Sequence, residues 1–397
     1  MAGIRAADPG AAVTQALRDR PFEIGPGRVQ IIAVGKAAIS MARAAMQAFA
    51  TPPPTLIVTN YENAGDVPHA EVFAAGHPVP DENGQKAAQA VQRALQSTGA
   101  NDRILALISG GGSALLPAPV PGISLTDKAR VNQLLLGAGV DIDQMNLVRQ
   151  QLSVLKGGGF ARLAAPAQVS ALILSDVIGD DLRTVASGPT VAPLGNAADA
   201  IAVLRAAGIW DELPKTVVHH LQTRTSENVS EPPAVENRLV GSNAISVAAM
   251  AAHDRDAVVH ARPLIGDVAD AAREIAAVPA GQTTLFGGET TVVLAGDGLG
   301  GRNQELALRV AMLAESAGWA PGWVFLSGGT DGRDGPTDSA GGLVDDGSLA
   351  RMRAAGVDPE MALRDNDSYH ALQAAGDLLI TGATGTNVAD LQVLIRP

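Results

Sequence analysis

Five times along this chain a short, mostly hydrophobic run meets a glycine turn, and that recurrence restricts the fold more than any other feature. Val29–Val34 runs into Gly35-Lys36, and Ile104–Ile108 runs into Ser109-Gly110-Gly111-Gly112-Ser113. Further along, Thr290–Leu294 precedes Gly296–Gly301, Gly322–Leu326 precedes Ser327–Gly332, and Leu378–Ile380 precedes Thr381–Thr386. Short aliphatic runs bounded by turn residues read as buried strands. In the first half, helical stretches separate them: Ala37–Ala48 after the first strand, then Asp81–Gln96, capped by Asp81, after a strand at Leu56–Thr59. Gln168–Leu174 adds another strand, ending at Ser175-Asp176. Strands alternating with helices build a parallel sheet with crossover helices, so the class expected is α/β.

A chain of 397 residues is long enough for two domains. The polar, Pro-containing, aperiodic stretch from Thr223 to Glu236 is where the change is expected, giving domains 1–230 and 231–397. The second half is again mixed, with a helix at Gln304–Ser316 and a short strand at Leu378–Ile380. A content of 46% hydrophobic and 18% charged residues excludes disorder as the default. With no cysteine, disulfides, thiolate zinc sites and a cysteine nucleophile are excluded. A net charge of −12 argues against non-specific nucleic-acid binding. Neither a leader pattern nor a membrane-length apolar run is present, and the expectation is a cytoplasmic protein acting on small molecules. Association into a homo-oligomer is compatible with the sequence and not specified by it.

In open α/β sheets, ligands bind beyond the carboxyl ends of the strands, where glycine lets backbone N–H groups approach an anion. No Gly-x-x-x-x-Gly-Lys-Ser/Thr occurs, and no Gly-x-Gly-x-x-Gly follows the first strand. Gly296–Gly301 only superficially resembles a dinucleotide signature, because no ribose-binding carboxylate stands at the usual offset. Ser109–Ser113 can form an anion-binding nest with flanking hydroxyls, or be only a tight strand-to-helix turn. Only five lysines are present, and two of them, Lys36 and Lys156, sit against glycines. Lys36 opens a helix, where its ammonium and the helix terminus can act on one anion. Helical periodicity in Leu147–Leu155 sets Arg149 and Lys156, seven residues apart, on roughly one face. Arg302, at a helix start after two glycines, suits bidentate binding of a carboxylate or a transferring phosphoryl group. Asp176 ends a buried strand, with Asp180 and Asp181 behind it, while Asp331, Asp334 and Asp338 crowd a later turn. Either set could supply the one or two carboxylates that magnesium takes beside phosphates and water. The seven histidines show no metal-ligand spacing, and no Gly-x-Ser-x-Gly elbow supports a hydrolase triad.

Read together, these segments resemble a known family. The run Val34-Gly35-Lys36-Ala37-Ala38, then Gly76-His77-Pro78-Val79-Pro80, Ser109–Ala114, Lys156-Gly157-Gly158, Leu174–Asp180, Ser187-Gly188-Pro189-Thr190, Gly287-Gly288-Glu289, Gly300–Glu305, Ser327–Gly332 and Thr384–Val388 is similar to the glycerate 2-kinases over nearly the whole chain. The resemblance implies a Rossmann-like parallel-sheet N-terminal domain with a second, smaller mixed α/β (MOFRL) domain. It also implies ATP- and magnesium-dependent phosphorylation of D-glycerate at the 2-hydroxyl, in a cleft between the domains, with Lys36 and Arg302 as the principal cations. On that footing Lys36, Arg302 and Asp176 are expected to be catalytic, and Asp176 to hold the metal. Substrate and nucleotide contacts are expected from Ser109, Gly110, Gly111, Gly112, Ser113, Lys156, Gly301, Asn303, Gly328, Gly329 and Asp331. Two positions depart from the family pattern, Arg333 where a small residue is usual and Ala383 where proline is frequent. Members are also labelled hydroxypyruvate reductases, so an NAD(P)H-dependent reductase is the alternative activity.

Overall fold

The computed structural model describes residues 1–225 and 231–397; the change of domain expected at residues 230–231 falls at the edge of a stretch, 226–230, that lies outside the described residues. The chain forms two compact units. One comprises Pro9–Ser175 with Asp180–Val240, the other Gly241–Pro397 with Met1–Asp8 and Asp176–Gly179.

The first unit is built on a six-stranded sheet of β1 (Val29–Val34), β2 (Thr55–Asn60), β3 (Ala70–Ala75), β4 (Arg103–Ile108), β5 (Gln168–Leu174) and β6 (Glu236–Gly241), in the order β3-β2-β1-β4-β5-β6. The pairs β1–β2, β1–β4, β2–β3 and β4–β5 are parallel. This is a doubly wound order, and its switch point lies where β1 and β4 run side by side. Ile31, Ile32, Ile57, Leu105 and Leu107 are fully buried, as expected of strands covered on both faces. The sequence reading missed β3, whose Ala-rich, half-buried Ala70–Ala75 lacks the aliphatic run of the central strands because it lies at the sheet edge. Asp81 does cap its helix, accepting from the Gly84 amide at 2.8 Å.

Helices Leu125–Gly137, Ile142–Gln151, Ala197–Ala206 and Lys215–Arg224 close a second core around Leu135, Val148, Leu204 and Leu221. Helix Ile142–Gln151 stops five residues short of Lys156. The shared helical face expected for Arg149 and Lys156 therefore does not exist, and any meeting of the two must come from the loop that follows.

The second unit holds β7 (Val258–Val259), β8 (Leu264–Asp267), β9 (Gln282–Thr291), β10 (Val324–Gly329), β11 (Gly341–Asp345), β12 (Leu378–Leu379) and β13 (Asp390–Arg396). The order is β12-β11-β10-β13-β9-β7, with β8 also on β9. The central pairs β10–β11, β10–β13 and β13–β9 are antiparallel, while β7 and β8 run parallel to β9, so the sheet is mixed. Helix Arg302–Ser316 buries Leu306, Leu308 and Val310 in the core that contains Phe286 and Phe325. Three expectations fail here. The strand expected at Gly322–Leu326 runs over Val324–Gly329, so Ser327, Gly328 and Gly329 lie in the strand and not in the turn after it. The strand expected at Thr290–Leu294 ends at Thr291, and Val293 and Leu294 are 73% and 79% exposed. The strand expected at Leu378–Ile380 forms only the short edge strand Leu378–Leu379, and the central strand is the unexpected Asp390–Arg396. The chain's first residues belong to this unit: Ser246 Oγ donates to the Gly3 carbonyl and Thr386 Oγ1 to that of Ala7, at 2.9 and 2.6 Å.

Candidate functional site

At the switch point of the parallel sheet, the loops after β1 and β4 are laced together. The Lys36 amide donates to the Gly110 carbonyl at 2.9 Å, and the Ala37 amide to Ser109 Oγ at 3.1 Å. Gly35 makes this approach achievable: its φ is +124°, and a Cβ there would stand 2.2 Å from Ser109 Oγ. Gly111, with φ of +83°, is flanked by the Lys36 stem and the His77 ring, which a Cβ would meet at 3.2 and 3.1 Å. Burial pushes the His77 imidazole below its usual value, and Lys36 pushes it further. Among the described residues, no acceptor takes up the amides of Gly110, Gly111 or Gly112. Unsatisfied N–H groups in a glycine turn beside an ammonium are the ingredients of an anion nest.

Ser113 continues this loop. Lys156, only 5% exposed, donates from Nζ to the Ser113 carbonyl at 2.8 Å and to its Oγ at 2.5 Å. The Ser113 hydroxyl also lies 2.9 Å from Ser187 Oγ, which bonds Asn146 Oδ1 at 3.0 Å. Thus Lys36, Ser109–Ser113 and Lys156 are brought together in the parallel-sheet unit.

The other expected residues gather in the mixed-sheet unit around Arg302, the first residue of its helix. Its fork is engaged by Asp390, with Nε 2.6 Å from Oδ2 and Nη2 3.0 Å from Oδ1, while Nη1 lies 3.1 Å from Glu289 Oε1. The Asp390 carboxylate is 1% exposed, that of Glu289 44%. Burial opposes the guanidinium's charge, and the Asp390 bond overcomes it, raising the group above its ordinary value. Burial also raises the Glu289 carboxyl; Arg302 pulls it back, while Asp390, Asp176 and Asp331 push it up. Asp176 and Asp331 thus lie within electrostatic reach of the Arg302–Glu289 pair. Asp390 is not singled out by the sequence; the available signal is an acidic residue heading a strand whose Leu391, Val393, Leu394 and Ile395 are aliphatic.

The helix start itself is occupied by the protein's own anion. Asp334 accepts from the amides of Asn303 and Gln304 at 3.1 and 2.8 Å, and a Cβ at Gly301 would stand 2.3 Å from its carboxyl carbon. Asn303 is 1% exposed and accepts from Ser327 Oγ at 2.6 Å. Gly328 packs where a Cβ would meet Leu379 at 2.8 Å, the Gly329 amide donates to Ala340, and Asp331 Oδ1 accepts from the Arg333 amide at 2.9 Å. Among the described residues no three His, Cys, Asp or Glu side chains assemble a metal cage.

Burial raises the Asp334 carboxyl to about 6. The unfolded value is about 4, so between about pH 4 and pH 6 the folded chain holds a proton that the unfolded chain has lost. Stability from this group is present below that window and lost as pH rises through it. The unfolding free energy of the wild type, measured against Asp334→Asn by urea denaturation, should fall by on the order of 2 kcal/mol from pH 4 to pH 6 and then level off. A difference moving in favour of the wild type across that window refutes this assignment.

Fold and site define a two-unit α/β enzyme with a glycine turn of unaccepted amides beside Lys36 on the parallel-sheet unit and an arginine held by carboxylates on the mixed-sheet unit. Residues 1–222 match the family described as a domain of unknown function (DUF4147), and residues 282–390 match the MOFRL family. The chain is 40% identical to the D-glycerate 2-kinase of Thermotoga maritima, over 98% of this chain and 94% of that one. It is 42% identical to an Agrobacterium vitis protein that carries a hydroxypyruvate reductase name, over 99% and 92%. The crystal structure of the Thermotoga maritima glycerate kinase superimposes with a TM-score of 0.89 at 38% identity, covering 100% of this chain and 97% of that one. The chain belongs to the glycerate 2-kinase family.

Among the described residues, no helix is long and apolar enough to cross a membrane.

Proposed function

We propose that this protein is an ATP-dependent D-glycerate 2-kinase that transfers the γ-phosphoryl group to the 2-hydroxyl, yielding 2-phosphoglycerate and ADP. The observation that carries the reading is the set of unaccepted amides at Gly110–Gly112 beside Lys36, at the carboxyl ends of β1 and β4. Phosphoryl transfer asks a protein mainly for positioning and neutralisation of charge, which an ammonium and preorganised N–H groups supply. Kinase relatives of similar length support the same reaction.

Asp390 fixes the plane of Arg302, and the exposed Glu289 is the partner that an incoming carboxylate or phosphoryl oxygen displaces from Nη1. The released Glu289, its carboxyl raised by partial burial and by Asp390, Asp176 and Asp331 around it, is suited to accept the proton of the 2-hydroxyl. Magnesium neutralises phosphate charge when bound; Asp176, with Asp331 in the same electrostatic neighbourhood, would hold it alongside phosphate oxygens and water, which matches that ion's preference for few protein ligands. The protein acts in the cytoplasm in this reading.

A hydroxypyruvate reductase would need a dinucleotide turn. Gly296, Gly298 and Gly300 are filled instead by the chain's own 365–368 segment: a Cβ at Gly296 would stand 2.3 Å from Asp365 Oδ1, and one at Gly298 2.5 Å from the Asp365 carbonyl. That turn follows β9, and the helix after it leads to β10, which pairs antiparallel with β11 and β13, so the turn opens no parallel βαβ unit. A coupled assay with D-glycerate, ATP and magnesium should release ADP and yield the 2-phospho isomer. Oxidation of NADH or NADPH by hydroxypyruvate without ADP release would replace the kinase by the reductase.

A further inference from the structure

We propose that Lys128, Arg149 and Lys156 form a binding site for the phosphate chain of the nucleotide, beside Ser113 at the end of the glycine loop. The inference rests on the kinase reading above and extends it to two residues, Lys128 and Arg149, that neither the nest nor Arg302 requires.

Three elements supply the cluster, and Arg149 is tied to the helix of Lys128 through Asn132, one turn further along. Lys128 comes from helix Leu125–Gly137, Arg149 from helix Ile142–Gln151, and Lys156 from the loop beyond it. All three bond only neutral acceptors. Lys156 holds the Ser113 carbonyl and hydroxyl, Lys128 donates to the Pro117 carbonyl, and Arg149 Nε donates to Asn132 Oδ1 at 3.0 Å. The carboxylate next to Lys128 in sequence, Asp127, is engaged elsewhere, by the Ser124 amide and Thr216 Oγ1. Among the described residues no ion pair reaches any of the three cations.

The electrostatics follow from that absence. Burial lowers the Lys128 amine to about 7, with Arg149 adding to the effect. Burial lowers Lys156 well below its usual value, and Lys128 and Arg149 lower it further. The three groups therefore repel one another across a poorly solvated space. Burying a charge without a counter-charge is costly. Fastening the Ser113–Pro117 segment does not call for that expense, since neutral donors would serve. A multiply charged anion relieves it, and phosphate chains carry about as many negative charges as this cluster has cations. Lys128, Arg149 and Ser113 each keep part of their surface exposed, while Lys156 is buried beneath them at 5% exposure.

The test uses the full chain, with inorganic tripolyphosphate, ADP and 2-phosphoglycerate as probes, followed by calorimetry and thermal unfolding. The variants are Lys128→Met and Arg149→Met, with Arg149→Lys retaining the charge. Tripolyphosphate and ADP should compete in the wild type, and each Met variant should weaken both by roughly ten-fold or more, while Arg149→Lys stays within several-fold. Without ligand, the Met variants should melt at or above the wild-type temperature, because an uncompensated charge has been removed. Lower melting without ligand, combined with affinities within two-fold of wild type, would reduce the cluster to a fastening and overturn the proposal. Cation-dependent binding of 2-phosphoglycerate but not ADP would overturn the nucleotide assignment. Cation-dependent tripolyphosphate binding in a chain that releases no ADP with D-glycerate would sink the kinase reading while sustaining the anion site.

Discussion

Replacing Arg302 by lysine is expected to lower kcat for glycerate phosphorylation by about 10²–10³-fold, the scale on which removal of one preorganised donor acts. The reason lies in the fork. Nε and Nη2 are both committed to Asp390, so the guanidinium plane is held while Nη1 remains for exchange with a ligand. An ammonium offers one point charge and cannot grip Asp390 and present a donor elsewhere at once. The substitution also leaves one oxygen of a carboxylate that is 1% exposed without its partner. Stability should fall by about 1–3 kcal/mol as well, so kcat must be read below the variant's melting range. ADP release within a few-fold of wild type would remove Arg302 from the chemistry.

Lys36→Met should lower kcat by roughly 10²-fold or more and raise the KM for ATP, with little change in melting temperature. Stability is spared because the backbone of Lys36, not its side chain, ties the two strand-end loops together through the Gly110 carbonyl. Its stem lies beside Gly111, where the unaccepted amides cluster, so what methionine removes is charge at the nest. Steady-state kinetics paired with thermal unfolding separates the two effects. A variant that melts early and retains the wild-type KM for ATP would make Lys36 a structural residue.

The elements legible in the sequence were those whose residues answer to local rules. Val29–Val34 and Gln168–Leu174 were placed to the residue, because a strand buried on both faces is dominated by aliphatic residues, here interrupted only by Gln30, Gln168 and Ser170. The edge strand Ala70–Ala75 carries no such demand and left no such signal. Lys36 and the Ser109–Ser113 loop stood out for the same reason as the strands: glycine at a strand end is a local requirement of close backbone approach.

The site on the mixed-sheet unit shows the other case. Arg302 was visible as a cation after two glycines, but its partner Asp390 lies 88 residues away and met it only when β13 was placed between β10 and β9. Likewise the glycines at 296, 298 and 301 look open in sequence, and only folding filled them with Asp365 and Asp334. Arg149 and Lys156 were linked for a helical periodicity that ends at Gln151, yet a loop brings them into one electrostatic cluster with Lys128. What the sequence by itself determined is the set of strands, the glycine turns and the cations in reach of them, since backbone sterics and aliphatic burial act over a few residues. Which cation is paired, which is left uncompensated and which turn keeps its amides free was decided by the tertiary structure alone, because charge acts through space and pays no regard to distance along the chain.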